Sequence, residues 1–418
     1  MSGTLLVRGA RQLITLRGPA EPRRGAALQE LGIIRDGALL IKDGRIVEVG
    51  LTRRLENLTS VHHSEEIDAT GHIVMPGFVD CHAHLVWGIP SLEDGDASAA
   101  AGEEAPSMPA PTIQSLCNSS ARRLESRARQ FANAMIRHGT TTVEAQSGYG
   151  LDARSELKIL RVHARLDRSP LDIVSTFLTP RSVAGEDADG RAAYLSWICS
   201  ELLPAIRRRT FARFAGLRCG EEGFQLEQSR HYLETARALG FRLKIHAGPH
   251  RAGDAVRLAV EAGAASVDHL QQAGPAELDL LARSNTTAVL LPGAGFQQAA
   301  AGCAPARGLI DAGAAVALGS NFNPGASSTC SMPTIIALAC AHLGMSPAEA
   351  ICAATFNAAC AIGSERVAGS LEAGKPADLI VLNASDYREI PHHFGVNLVN
   401  RTVKRGVTIY QEGNVAPR

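Results

Sequence analysis

Short apolar runs recur through the middle of the chain, each followed by a polar or glycine-rich turn and then a longer stretch whose apolar residues fall three and four apart. Eight such runs occur, at 73–81, 141–145, 173–178, 211–217, 243–247, 265–270, 287–291 and 315–319. Runs of this length bounded by turn signals suit strands buried on both faces, and the stretches at 155–166, 227–239, 255–262 and 305–312 carry the spacing of amphipathic helices. Strand alternating with helix eight times predicts an α/β protein with a closed (β/α)8 TIM barrel rather than an open sheet.

The pattern changes at both ends. Residues 38–42 and 45–49 are β-rich runs on either side of Asp43-Gly44, a two-residue hairpin signal, and 378–382 and 402–410 again read as strands with no helical pattern between them. The two ends are expected to pair into one small β domain. Residues 91–111, directly after the first barrel run, show no period; they read as a loop over the barrel mouth or as a plain surface insertion.

With 418 residues the chain has room for a large domain and a smaller one. Lys plus Arg and Asp plus Glu are equal at 42 each, so no net field draws a nucleic acid or an anionic membrane surface, and Arg207-Arg208-Arg209 reads as a solvated helix end. The expected partners are small molecules or a second copy of the chain. No stretch approaches the ~20 apolar residues needed to cross a bilayer, and the first 18 residues lack the apolar core of a secretory signal. The nine cysteines are scattered without a CxxC, which favours reduced thiols filling small core spaces in the cytoplasm.

The candidate chemistry sits at the ends of the barrel runs. In Asp80-Cys81-His82-Ala83-His84, strand alternation sends His82 and His84 to one side, where both imidazoles reach one ion. A His-x-His pair alone is more often ordinary histidine; its place at the carboxyl end of a barrel strand, where such barrels keep their active sites, raises the metal reading. His246 ends the fifth run and His269 falls within the sixth, completing a histidine set suited to an open catalytic zinc or iron site.

With these residues, the chain resembles the amidohydrolase superfamily, and within it the imidazolonepropionases. The resemblance is carried by 75–85 (MPGFVDCHAHL), Ser147-Gly148-Tyr149-Gly150-Leu151-Asp152, Lys244-Ile245-His246-Ala247, Asp268-His269-Leu270, Leu290-Leu291-Pro292-Gly293-Ala294, Asn323-Pro324-Gly325 and the 369–379 tail, and spans nearly the whole chain. It implies a barrel over 75–367 and a β-sandwich built from 1–74 and 368–418, usually as a homodimer. It further implies one divalent ion, zinc or iron, on His82, His84 and His246, with His269 near the reacting water and Tyr149 contacting substrate. The implied reaction is hydrolytic opening of 4-imidazolone-5-propanoate to N-formimidoyl-L-glutamate, in histidine degradation.

The chain departs from that family's pattern at several positions. At the eighth strand's end, where the family carries a metal-binding aspartate that serves as base, stands Asn321; its amide oxygen offers a metal ligand but accepts no proton. Thr179-Pro180-Arg181 replaces Gly-Ala-His after the third strand, Pro249 replaces an acidic or amide residue after His246, and no arginine occurs from Trp87 to Leu92. Arg181 is a candidate for holding a substrate carboxylate, with a solvent-facing arginine as the plainer alternative. Gln146 in place of lysine excludes a carbamylated lysine bridging two metals there. Two expectations stand side by side: a hydrolase of the imidazolonepropionase type, or a descendant with another cyclic amide or aminoheterocycle as substrate or with lost catalysis.

Overall fold

Eight parallel strands run in sequential order around a barrel in the computed structural model of the protein, which describes residues 3–58, 64–87, 110–150, 152–179, 188–219, 224–248, 252–297, 303–323, 325 and 327–413. They are β1 (Phe78–Ala83), β2 (Thr140–Gln146), β3 (Asp172–Leu178), β4 (Phe214–Cys219), β5 (Arg242–Ala247), β6 (Ser266–Asp268), β7 (Thr287–Leu290) and β8 (Val316–Leu318). The ring closes just past β8, where Ala83 bridges Phe322 in parallel and Asn321 N donates to His82 O at 2.8 Å. Helices such as Ala153–Leu166 and Leu226–Ala238 follow the strands and bury their apolar stripes against them, as the spacing predicted.

Both chain ends build the second body. One sheet orders Arg45–Leu51, Gly37–Lys42, Thr4–Ala10 and Glu65–Asp68; the other orders Val407–Gln411, Val399–Lys404, Leu379–Leu382, Ile73–Pro76, Gln12–Ile14 and Ile33–Ile34. Leu379–Leu382 pairs antiparallel with Ile73–Pro76, joining the two ends. Val7, Leu39 and Ile67 from one sheet pack against Leu13, Val74 and Val381 from the other in a shared apolar core. The Asp43-Gly44 hairpin forms as expected.

Three expectations need correction. The run at 73–81 is two strands in different sheets: Gly77 N bonds Asp378 O in the sandwich while Phe78 N bonds Gly139 O in the barrel. A Cβ on Gly77 would lie 2.2 Å from the Thr141 side chain, so only glycine lets the chain pass from one body to the other here. The run at 402–410 breaks into a hairpin at Arg405 and Gly406, whose φ values of 48° and 74° are those of a tight two-residue turn. A four-residue helix, Glu389–His392, lies between the C-terminal strands where no helical pattern was read.

Lys404 ties the two bodies together. Its buried ammonium donates to Thr141 O, Asp172 and Asp378 at 2.9, 2.7 and 2.6 Å. The arginine run at 207–209 is exposed at the end of a short helix, as expected. No helix of the described residues is long and apolar enough to cross a membrane.

Candidate metal centre

The carboxyl ends of β1, β5 and β6 bring His82, His246 and His269 together with a residue that sequence reasoning passed over, Asp268. One ligand atom from each of these four side chains lies within 4.8 Å of the others. The His82 ring centroid is 4.8 Å from that of His246, 5.7 Å from that of His269 and 5.9 Å from that of His84. Tyr149 stands beside His84, its ring centroid 4.8 Å away. His82, His84, His246 and Tyr149 are all buried, while the side chain of His269 keeps 25% exposure at the rim.

Why Asp268 joins the set follows from register. Parallel neighbours opposite one another face the same side, and Asp268 lies opposite His246, as His246 lies opposite Arg218. All three therefore face the barrel interior. Simple alternation would then send His269 outward. Instead β6 ends at Asp268, and His269 takes a φ of 56°, a left-handed turn that brings its ring back toward the mouth.

The histidines are prepared as neutral ligands. Burial pushes the His82 imidazole down to about 3, and drives His84 and His246 well below the ordinary histidine range. His82 Nε2, His84 Nδ1 and both ring nitrogens of His246 are buried without a hydrogen-bond partner among the described residues. Buried ring nitrogens left unpaired are costly, and a divalent ion is the group that neutral imidazoles in this arrangement accept. The donor set fits a metal.

Among the described residues, three buried carboxylates surround the centre, in different states. Glu144 contacts Lys244 Nζ at 2.6 Å and accepts from Thr176 Oγ1 at 2.5 Å, deep in the barrel. Asp80 accepts from Ser320 Oγ at 2.5 Å, Ser320 N at 2.9 Å and His82 N at 3.3 Å, fastening β8 to β1; burial still raises it to about 6. Asp268 faces the histidines: Oδ2 is 3.0 Å from His82 Nδ1 and Oδ1 is 3.2 Å from His246 Nδ1.

Asn321 is anchored beside this cluster. Its backbone holds a φ of 50°, and Asn323 Nδ2 donates to its backbone oxygen at 2.6 Å and to its Oδ1 at 3.2 Å. Gly319, two residues earlier, permits the close approach of this segment to β1, since a Cβ there would lie 2.7 Å from the Cβ of His82. Arg181, Pro180, Pro249 and almost all of the aperiodic 91–111 segment lie outside the described residues.

The turn that presents Tyr149 hangs on another buried carboxylate. Glu156, on the helix Ala153–Leu166, accepts from Gly148 N at 3.1 Å and from Gly150 N at 2.5 Å, one on each side of the tyrosine. Burial lifts this carboxyl to about 7 despite those donors. Glu156→Ala would leave both amides unsatisfied and is expected to cost ~2–3 kcal/mol of stability, measured by urea denaturation. An unchanged midpoint would show that water replaces the carboxylate without loss.

Residues 73–409 match the Amidohydrolase family. The chain belongs to that family. Among its relatives are the imidazolonepropionase of Symbiobacterium thermophilum, 41% identical over 99% of both chains, and that of Geobacillus kaustophilus, 39% identical over 98% of this chain and 99% of the relative. The imidazolonepropionase of Porphyromonas gingivalis is 39% identical over 97% of each. In fold, this amidohydrolase is similar to a triazine hydrolase variant (TM-score 0.70, 18% identity, 98% of this chain and 95% of that one). It is equally similar to guanine deaminase of E. coli (TM-score 0.70, 16% identity, 97% and 99%).

Proposed function

We propose that this protein is a metal-dependent hydrolase that opens the ring of 4-imidazolone-5-propanoate to N-formimidoyl-L-glutamate. What carries the reading is full-length similarity to imidazolonepropionases, joined to a cluster of buried, unprotonated imidazoles at the barrel mouth. In the reaction, water adds its oxygen to the ring carbonyl carbon, the ring C–N bond breaks, one water proton passes to the departing nitrogen and the other is released as the new carboxyl group ionises. His82, His84 and His246 would hold one zinc or iron ion, with the amide oxygen of Asn321 beside them. When bound, such an ion supplies Lewis acidity, which polarises a carbonyl and lowers the pKa of water.

The remaining work falls to side chains of the chain itself. His269, at the rim and partly open to solvent, would take a proton from the attacking water and return it to the leaving nitrogen. Tyr149 packs beside His84 and orients the substrate ring. The propanoate arm needs a cation, and Arg218, opposite His246 in register, is a candidate together with Arg181. The setting we propose is cytoplasmic histidine degradation, with the protein as a homodimer.

Asn321 favours a second reading, in which the scaffold and metal persist but turnover is slow or redirected to another cyclic amide. The deciding assay follows loss of the imidazolone ultraviolet absorbance with metal-loaded protein. Turnover at an ordinary enzyme rate supports the hydrolase; metal bound without turnover sinks it. Asn321→Asp adds a second proton acceptor and is expected to raise kcat by about 10²-fold in a slow wild type, within the range general bases contribute.

A further inference from the structure

Metal centres made of neutral imidazoles confine a double positive charge in a medium of low polarity, so a buried anion close by is strongly favoured. Asn321 supplies none. Of the three carboxylates around the site among the described residues, Glu144 is committed to Lys244, and Asp80 to Ser320 and the backbone of His82. Asp268 alone among these three approaches two of the proposed ligands, and its Oδ1 has no hydrogen-bond partner among the described residues.

The atoms it approaches matter. Both contacts are to Nδ1, at 3.0 Å on His82 and 3.2 Å on His246, and in both rings Nε2 is buried and has no partner among the described residues. We propose that Asp268 is the positioning carboxylate of this centre: it accepts the Nδ1 protons of His82 and His246 together, fixes both rings in the tautomer that leaves Nε2 free for the ion, and supplies the anion missing at position 321. The inference rests on the metal reading of the site but not on the identity of the substrate.

Two details sharpen it. The His246 contact is at hydrogen-bond distance but out of line, and the proposal requires that ring to turn its Nδ1 toward Asp268 Oδ1. Gln146 Nε2 also lies 3.3 Å from His82 Nδ1, while Gln146 Oε1 has no partner among the described residues. A proton on Nδ1 requires that amide to turn its oxygen toward His82, which satisfies the orphaned oxygen as well.

The tautomers can be read directly in wild-type protein without metal. Long-range ¹H–¹⁵N correlation spectra of ¹⁵N-histidine-labelled protein, assigned with His82→Gln and His246→Gln, are expected to show both rings as the Nδ1–H form. An Nε2–H form on either ring overturns the proposal. Asp268→Asn is then expected to weaken cobalt binding about 10- to 100-fold in chelator competition, the usual cost of losing such a partner, with the cobalt visible bands unshifted. Unchanged affinity, or altered bands in the cobalt that still binds, as for loss of a direct ligand, refutes the positioning role. These readouts use no substrate, so failure of the imidazolone assay leaves them standing, and their failure leaves that assay untouched.

Discussion

His246→Ala is expected to leave a protein that no longer retains its divalent ion and whose kcat/KM for ring opening falls by more than ~10³-fold, a loss of ~4 kcal/mol of transition-state stabilisation. The residue is buried at the end of β5, with its ring 4.8 Å from that of His82 and 5.6 Å from that of His269, so its removal opens the centre of the cluster. Among the described residues, the group then keeps only His82, Asp268 and the partly exposed His269 at the rim. Metal content after dialysis, read by elemental analysis, and the absorbance assay check the two halves separately. Metal retained at full occupancy with activity lost would remove His246 from the ligand set and leave it a role in the chemistry alone.

The same burial makes part of the stability of the metal-free protein sensitive to acid. His82 has its folded value lowered to about 3, below an ordinary histidine near 6.5, and His84 and His246 are lowered as well. For a group depressed in the folded state, the contribution to stability is complete above the unfolded value and is lost as pH falls toward the folded one. Stability from these histidines is therefore present above pH ~6.5 and declines on acidification toward about 3 for His82. Asp80, Asp268 and Glu156 run the other way, since their raised values favour the protonated folded state at low pH.

Most of the barrel was legible because a buried parallel strand writes itself as a short apolar run, and the helix after it as a stripe. The passage at Gly77 was not: an apolar run carries no mark of which sheet each half joins, and the reason for the break is the Thr141 side chain, contributed from far along the chain. The histidines were legible from type and position. Asp268 was not, because next to His269 in sequence it should have pointed away from the site. The left-handed backbone of His269 breaks the alternation, and nothing local announces that turn at a histidine. Its signal was the register with His246, which exists only once β5 and β6 are paired.

A second large effect is expected beneath the metal centre. Lys244 and Glu144 form an ion pair with side chains 1% and 0% exposed, and Thr176 supplies a further hydrogen bond to the carboxylate. Breaking such a pair from one side strands a charge in the interior, so Lys244→Met is expected to cost ~3–5 kcal/mol in urea denaturation. Replacing both partners removes the stranded charge, so Glu144→Leu combined with Lys244→Met should recover most of that loss. Lys244 lies two residues before His246 on β5, facing the same interior, so the single variant should also lose metal affinity while the double variant regains part of it. If the double variant is no more stable than the single one, the cost lies in packing against Phe214, whose ring the ammonium overlies at 5.0 Å, rather than in the buried charge. The pair would then serve the barrel by shape, and the floor beneath His246 would not depend on its electrostatics.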